Sequence, residues 1–189
     1  MNQIKALLLA ALAWGAVSLS NTQAQVDVTL NPFNLLFGDI NLGADIHINE
    51  SFSIEPNIGF GSGDLSGFEY KNLPVTVFGK YYFSPKNGAD RFYADAFARF
   101  VRRSFTITDE TSTYAEYDKT RFGLGIGLGY KVASEKGFIF DFGFGVGRAI
   151  VDETKFSAEG EQVEASWSSA MIIAKVGLGY RFGGNRNNR

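Results

Sequence analysis

The sequence contains no cysteine, one histidine and only four prolines in 189 residues. The absence of cysteine excludes disulfide bonds, thiolate metal sites and cysteine nucleophiles, and the lone His47 excludes a centre built from several histidines. The charges nearly cancel, with 18 Lys and Arg against 20 Asp and Glu, which argues against a nucleic-acid binder that depends on a basic surface. Glycine (22) and phenylalanine (18) are abundant, and this composition favours an all-β chain.

The N-terminal segment has the three-part pattern of a secretory signal peptide. Lys5 supplies a positive charge, residues 6–19 form an apolar run, and Thr22-Gln23-Ala24 is a small-x-small cleavage site. The run is shorter than the roughly 20 apolar residues of a membrane-spanning helix. We therefore predict a signal peptide over 1–24, one domain over 25–182 and a short tail over 183–189. An exported chain without disulfides is typical of a bacterial envelope.

The predicted domain alternates between apolar and polar residues with a period of two, which is the pattern of β-strands with two different faces. In residues 138–146 (FIFDFGFGV) the phenylalanines fall on one face and Asp141 with two glycines on the other. The first strand is the least regular because Pro32 and Leu35-Leu36 break its alternation, and we expect a bulge or bend there. The pattern predicts eight strands, at about 27–37, 40–48, 52–60, 75–83, 92–103, 122–132, 138–146 and 170–182.

The strands and their connections predict an all-β fold, an eight-stranded antiparallel up-and-down transmembrane β-barrel. Short connections alternate with longer polar ones at 62–72, 107–119 and 152–166, as in barrels with short periplasmic turns and longer extracellular loops. A barrel of eight strands is too narrow to enclose some forty apolar side chains, about five from each strand. The apolar faces are therefore expected to contact lipid and the glycine-rich faces to line the lumen. A soluble lipocalin-like barrel with the opposite facing is the alternative.

This facing assigns three groups of candidate residues. Charged side chains in the lumen are expected to form an ion-pair network, because losing one partner of a buried pair costs about 3–5 kcal/mol; they are Asp45, Glu55, Lys80, Asp95, Arg99, Arg121, Asp141, Lys175 and Arg181, with Arg103 and Lys131 on the same face. Outward aromatics at the turn end are expected to form a periplasmic girdle; they are Phe52, Tyr81, Phe83, Phe92, Tyr130, Phe138, Tyr180 and Phe182. Arg102 and Arg148 fall on the lipid face near the loop end, where they are expected to contact lipopolysaccharide phosphates. The alternatives are that they reach solvent or that a local bulge reverses the alternation there.

No arrangement of residues predicts catalysis, a metal or a cofactor. His47 faces the lumen, and no Ser/His pair faces the lipid, so we do not expect an enzyme. The glycine-rich segment 123–129 lies within a strand with no helix after it, unlike a phosphate-binding loop, and the acidic segments 108–119 and 152–166 lack the spacing of a calcium loop. The sequence favours a structural or surface-interaction role through the loops. A narrow porin-like channel for small, anionic or amphipathic solutes is the alternative.

The strand pattern and the final Gly179-Tyr180-Arg181-Phe182 resemble the small eight-stranded outer-membrane proteins, of which the OmpA transmembrane domain, OmpX and OmpW are examples. Residues 31–45 (NPFNLLFGDINLGAD) resemble the opening of small outer-membrane barrels found in Bacteroidota. The resemblance implies a monomer in the outer membrane of a Gram-negative bacterium, surrounded by lipid and lipopolysaccharide. It also implies contacts with periplasmic chaperones and with the barrel-insertion machinery during assembly.

Overall fold

The computed structural model describes residues 25–36, 38–65, 68–109, 112–158, 161–164 and 169–183. These residues form nine strands and one short helix: β1 (Val26–Leu30), α1 (Pro32–Leu36), β2 (Asp39–His47), β3 (Phe52–Leu65), β4 (Phe68–Tyr82), β5 (Arg91–Asp109), β6 (Ser112–Ala133), β7 (Phe138–Ala158), β8 (Glu161–Glu164) and β9 (Ala170–Phe182). The predicted signal peptide over 1–24 and residues 184–189 of the predicted tail lie outside the described residues. In the part of the chain that is described, no helix has the length and apolar character needed to cross a membrane.

The sheet is antiparallel throughout and closes on itself. Each strand from β1 to β7 pairs with the next along the chain, and β9 pairs with both β7 and β1. The short β8 also pairs with β7, beyond the part that β9 covers, so β8 and β9 occupy one position. The described strands therefore form a ring of eight positions, which confirms the predicted up-and-down barrel.

The first barrel strand is shorter than predicted. It is followed at Pro32 by a helix of five residues, where a bulge or bend was expected. Asn31 caps this helix, because its side-chain oxygen accepts the backbone N–H groups of Phe33 at 3.0 Å and Asn34 at 3.4 Å. Proline suits the first helical position, where its missing N–H would have no partner. Gly38, with a φ of +78°, then turns the chain into β2.

Strand pairing continues through much of the sequence that we predicted as loops. β3 and β4 remain paired as far as Leu65 and Phe68, and β5 and β6 as far as Asp109 and Ser112. β7 extends to Ala158, where it pairs with β8. The predicted loops are therefore corrected to three long hairpins, since pairing satisfies backbone N–H and C=O groups outside a membrane as well as within it. This end of the barrel is termed the hairpin end and the opposite end the turn end.

The exposure of side chains alternates along the strands in the predicted sense. On β7, Phe140, Phe142 and Phe144 are 40%, 45% and 58% exposed, whereas Asp141 is 1% exposed. The other strands repeat this pattern, with apolar residues outside and most of the charged residues inside. A continuous apolar belt around the barrel is far larger than the few hundred Å² of apolar patch found on soluble monomers. The outer face therefore has the apolar surface that is typical of a membrane-spanning barrel.

Glycines on the inner faces of β6 and β7 make room for aromatic side chains of β5. A β-carbon added at Gly129 would collide with the ring of Tyr93, and one at Gly125 or Gly145 would collide with the ring of Phe97. Both rings are almost fully buried. The glycines thus allow two large side chains to fill a lumen that is too narrow for a full set of them.

Candidate functional site

Four acidic and four basic side chains of the described residues meet in the turn-end half of the lumen. They are termed the ion cluster and are Asp27, Asp45, Glu55, Asp141, Lys80, Lys131, Lys175 and Arg181. Six of the eight residues are at most 1% exposed, and Lys175 is 9% exposed. Equal numbers of opposite charges allow each buried ion to have a partner, which buried charges require.

Lys80 on β4 joins three other strands across the lumen. Its Nζ lies 2.9 Å from Asp141 of β7 and 3.2 Å from Asp45 of β2, and it also pairs with Glu55 of β3. The same ammonium lies 4.6 Å from the ring centroid of Tyr93, within the range of a cation–π contact. Lys80 therefore holds opposite walls of the barrel together.

Asp27 on β1 is the centre of a second group, nearer the turn end. Its carboxylate accepts hydrogen bonds from Arg181 Nε at 2.6 Å and Nη2 at 2.9 Å, an arrangement that fixes both orientation and distance. It also accepts a bond from Lys131 at 2.9 Å and lies 3.0 Å from Nε2 of His47. Lys131 pairs in addition with Asp45, which connects this group to Lys80.

The connection between β4 and β5, residues 83–90, folds across the turn end of the barrel. Ala89 in this connection is fully buried and packs with Tyr82 and Tyr93. Arg181 donates hydrogen bonds to the carbonyl oxygens of Asn87 and Ala89, the latter at 3.1 Å. The connection and the ion cluster together close the lumen at this end.

The hairpin-end half of the lumen contains two adjoining cavities of about 250 Å³ each. The lower cavity lies next to the ion cluster, with Phe78 and Lys175 in its lining, and the upper cavity is lined by Phe105 and Tyr117. Arg99 and Arg103 line both cavities. Five asparagines also line the lower cavity: Asn31, Asn34, Asn41, Asn57 and Asn72.

Three aromatic rings form a row across β4, β5 and β6 at the mouth of the lumen. The ring centroids of Tyr70 and Phe105 are 6.4 Å apart, and those of Phe105 and Tyr117 are 5.8 Å apart. Tyr70 donates a hydrogen bond to Asp39 at 2.8 Å, and Asn72 donates to the other carboxylate oxygen at 3.0 Å. The bond to Asp39 raises the pKa of the Tyr70 hydroxyl, because ionised Tyr70 could no longer donate to the carboxylate.

The structure brings six residues of the predicted network into the ion cluster: Asp45, Glu55, Lys80, Asp141, Lys175 and Arg181. It does not bring Asp95, Arg99 or Arg121 into the cluster. One carboxylate oxygen of Asp95 is buried without a hydrogen-bond partner. Arg99 contacts Thr76, and Arg121 pairs with Asp152 at 3.0 Å nearer the hairpin end. Alternation along a strand indicates which face a residue occupies but not its height or its partner.

Sequence reasoning missed the part that Asp27 plays, although it placed Lys131 on the lumen face with the network. Asp27 lies on β1, where the irregular positions from Pro32 onward obscured the alternation. The signal was present in the short run from Val26 to Leu30, in which Asp27 and Thr29 alternate with apolar residues and are both buried. Five residues are too few for alternation alone to show which face points inward, however, and the pairing of β1 with β2 and β9 settles this.

The eight predicted girdle aromatics all lie on the exposed face near the turn end, and they are between 37% and 64% exposed: Phe52, Tyr81, Phe83, Phe92, Tyr130, Phe138, Tyr180 and Phe182. Several of these rings contact each other, with centroid distances of 5.3 Å for Tyr81–Phe83 and 5.2 Å for Tyr180–Phe182. The two candidate lipopolysaccharide contacts, Arg102 and Arg148, are exposed on the outer face.

Among the described residues, two groups in the lumen have their ligand atoms close enough together to hold a metal ion: Asp27, Asp45 and His47, and Asp45, Glu55 and Asp141. In both groups, however, lysine ammonium groups already pair with the carboxylates. Lys131 pairs with Asp27 and Asp45, and Lys80 pairs with all three acids of the second group. A metal would have to displace these ammonium groups, so the geometry fits ion pairs better than a metal centre.

The closed ring, the apolar outer belt and the charged interior define the fold of outer-membrane β-barrel proteins. Similar solved structures include a major outer membrane protein from Thermus thermophilus, which is 12% identical with a TM-score of 0.54 over 84% of this chain and 99% of that chain. CarO2 from Acinetobacter baumannii is 10% identical with a TM-score of 0.50 over 84% of this chain and 98% of that chain. Similarity at these identities concerns the fold alone.

The chain belongs to the family described as "Protein of unknown function (DUF3575)", which matches residues 7–182. No curated protein matches the sequence. In barrels of this class the short turns face the periplasm and the long connections face the cell exterior. The turn end with its ion cluster corresponds to the periplasmic end of such barrels, and the cavities correspond to their extracellular side.

Proposed function

We propose that this chain is an integral outer-membrane protein with a sealed barrel, and that its extracellular hairpins contact partners at the cell surface. The observation that carries the proposal is the closure of the periplasmic end by the ion cluster and residues 83–90. The signal-peptide pattern over 1–24 supports export. The resemblance to small eight-stranded outer-membrane proteins supports a monomer that chaperones deliver to the insertion machinery.

The ion cluster opposes the passage of solutes because its charges compensate each other. A solute ion that crossed this region would have to separate buried ion pairs, and each broken pair costs several kcal/mol, about 3–5 when one charge is left alone. The rings of Tyr82 and Tyr93 fill the space beside the charges. A structural or surface-interaction role therefore fits this lumen better than transport does.

A conductance measurement tests the sealed barrel. Purified protein reconstituted into planar bilayers is expected to give no current steps above the lipid baseline, and a general porin inserted under the same conditions serves as the positive control. The second candidate function, a narrow anion-preferring channel, is favoured by the arginines of the two cavities. Discrete current steps that Arg99→Ala reduces would establish the channel and overturn the sealed barrel.

We also propose that Arg102 and Arg148 bind lipopolysaccharide phosphates at the outer surface. Arg102 is paired with Thr120 of β6, and Arg148 with Leu124 of the same strand, so their partners lie about 13 Å apart along β6. A charge on the lipid face is tolerated near the interface but costs about 2–4 kcal/mol at the midplane. Phosphate groups of lipopolysaccharide would supply charge-assisted hydrogen bonds at that interface.

The double variant Arg102→Glu/Arg148→Glu is expected to lose more stability in bilayers that contain lipopolysaccharide than in detergent. Each lost contact accounts for about 1.5–3 kcal/mol, the usual contribution of a hydrogen bond to a charged group. Denaturant unfolding of the folded barrel in both media measures the difference. Lys136→Glu in the exposed turn before β7 makes the charge change of one of these substitutions at the opposite end and serves as the control. Equal losses in both media would contradict the contact.

A further inference from the structure

Two arginines in the lumen have only neutral partners among the described side chains. Arg99 and Arg103 lie four residues apart on β5, and both line the lower and upper cavities. Arg99 contacts the hydroxyl of Thr76 at 3.5 Å, and Arg103 donates to the side-chain oxygen of Asn72 at 3.1 Å. Neither guanidinium forms an ion pair with a carboxylate within the described part of the chain.

The surroundings do not neutralise these two charges. The ion cluster below the cavities is balanced internally, and its Lys175 is already paired with Glu55 and Asp141. Asp39 lines the lower cavity and accepts hydrogen bonds from Tyr70 and Asn72, but its single negative charge can offset only one of the two arginines. The two cavities therefore carry an excess of positive charge, and the low-dielectric walls of a cleft strengthen such a field.

The neutral groups of the lower cavity can bind a polar guest as well. Side-chain amides of asparagine both donate and accept hydrogen bonds, and five of them line this cavity. Guanidinium groups match the geometry of carboxylate and phosphate oxygens because their N–H groups form a rigid fork. Each cavity, at about 250 Å³, is smaller than the roughly 300–1,000 Å³ of pockets for drug-sized ligands. The site therefore fits a small ligand.

We propose that the two cavities form a binding site, closed at the periplasmic end, for a small soluble oxyanion that carries a phosphate or carboxylate group and enters from the extracellular side. Arg99 and Arg103 bind the anionic group, and the asparagines bind its polar substituents. The site rests on the sealed barrel proposed above, since a closed floor keeps the ligand in the lumen. Lipid phosphates remain outside the barrel wall and do not reach these arginines.

Inorganic phosphate and acetate are the probes that test this site. The barrel is reconstituted into phosphatidylcholine nanodiscs, and saturable binding is measured by phosphorus and carbon NMR of the two anions. Both anions are expected to bind, and Arg99→Gln/Arg103→Gln is expected to weaken binding at least about tenfold, because each variant removes a charge-assisted donor. Arg91→Gln is the matched control: Arg91 begins the same strand at the turn end, is exposed and lines neither cavity, so the change should alter affinity by less than about twofold.

Lipopolysaccharide in the nanodisc distinguishes a soluble anion from a lipid phosphate. If free anions are the ligands, phosphate affinity is the same with and without lipopolysaccharide. Competition by lipopolysaccharide that depends on Arg99 and Arg103 would overturn the proposal, as would the absence of saturable binding or equal effects of the lumen and control variants. Folding of each variant is checked by circular dichroism.

Conductance recorded on the same preparations separates this site from the sealed barrel. A barrel that conducts no ions and binds neither anion would overturn the oxyanion site and leave the sealed barrel standing. A barrel that conducts ions would contradict both the sealed barrel and the closed binding site, whatever the affinity of the barrel for phosphate.

Discussion

Replacing Lys80 with methionine is expected to lower the free energy of unfolding by about 3–5 kcal/mol. The variant keeps most of the side-chain volume but removes the ammonium that pairs with Asp45, Glu55 and Asp141. These carboxylates would then share the remaining lysines, and the buried cluster would hold one uncompensated negative charge. Guanidinium titration of the folded barrel in lipid vesicles, followed by circular dichroism, measures the loss.

Lys71→Met on the same strand is the matched control for this prediction. The Lys71 side chain is 70% exposed, and its ion-pair partner Glu69 is 4.0 Å away, so the change should stay within about 0.5 kcal/mol. Combining Lys80→Met with Asp141→Asn restores the charge balance and should recover part of the stability, which would reveal coupling between the two sites. If the Lys80 and Lys71 variants lost equally little stability, the ion cluster would not be a structural element.

Arginine in place of Phe144 is expected to destabilise the barrel in a bilayer by about 2–4 kcal/mol, the cost of a lipid-facing charge near the midplane. Phe144 is 58% exposed on the outer face of β7, where it is paired with Leu128 and Ala174. Unfolding in vesicles of defined thickness measures this cost.

Phe138→Arg provides the control for depth, because Phe138 lies on the same strand and face but at the turn end, with 64% exposure. Near the interface the same substitution costs only about 0–1 kcal/mol. A soluble barrel, by contrast, would tolerate arginine equally at both positions. Equal costs at Phe144 and Phe138 would therefore argue that this face does not contact lipid.

The number of barrel positions, the connectivity and the facing of the strands could be predicted from the sequence. In the strands from Phe138 and from Ala170, apolar residues occupy the outward positions up to Val146 and Phe182, and the inward positions are mostly polar or glycine, with Ile139, Met171 and Ile173 as buried exceptions. Side-chain volume determined which face of each strand points outward, because phenylalanines such as Phe140 and Phe142 could not all fit inside a narrow lumen. These features depend on local pattern and on general constraints, so one sequence is sufficient.

The partners within the lumen could not be predicted in the same way. Asp95 lies directly opposite Lys80 in the β4–β5 pair, yet Lys80 extends across the lumen to Asp45 and Asp141. Which carboxylate a lysine reaches depends on strand stagger and on the space left by inner glycines such as Gly127. Strand stagger and this inner space are properties of the closed barrel, and no short stretch of the sequence indicates them.

The ends of the strands could not be predicted from the alternation of the sequence either. The polar segments at 62–72 and 107–119 lack the apolar alternation of the other strand segments, and we predicted loops there. Hairpin pairing nevertheless continues, since backbone hydrogen bonds do not depend on the side chains. Asn31 followed by Pro32 is a recognisable helix start. It was not predicted because these residues were interpreted as part of an irregular first strand.

Contact between isoleucine methyl groups and lipid acyl chains tests the central claim most directly. Ile172 and Ile173 are adjacent on β9 but are 72% and 6% exposed, and Ile126 and Ile139 are 68% and 0% exposed. In nanodiscs with methyl-labelled isoleucine, nuclear Overhauser effects to the acyl chains are expected at Ile126 and Ile172 and absent at Ile139 and Ile173. Acyl contacts at Ile139 and Ile173, with Ile126 and Ile172 shielded, would show that the barrel faces the opposite way.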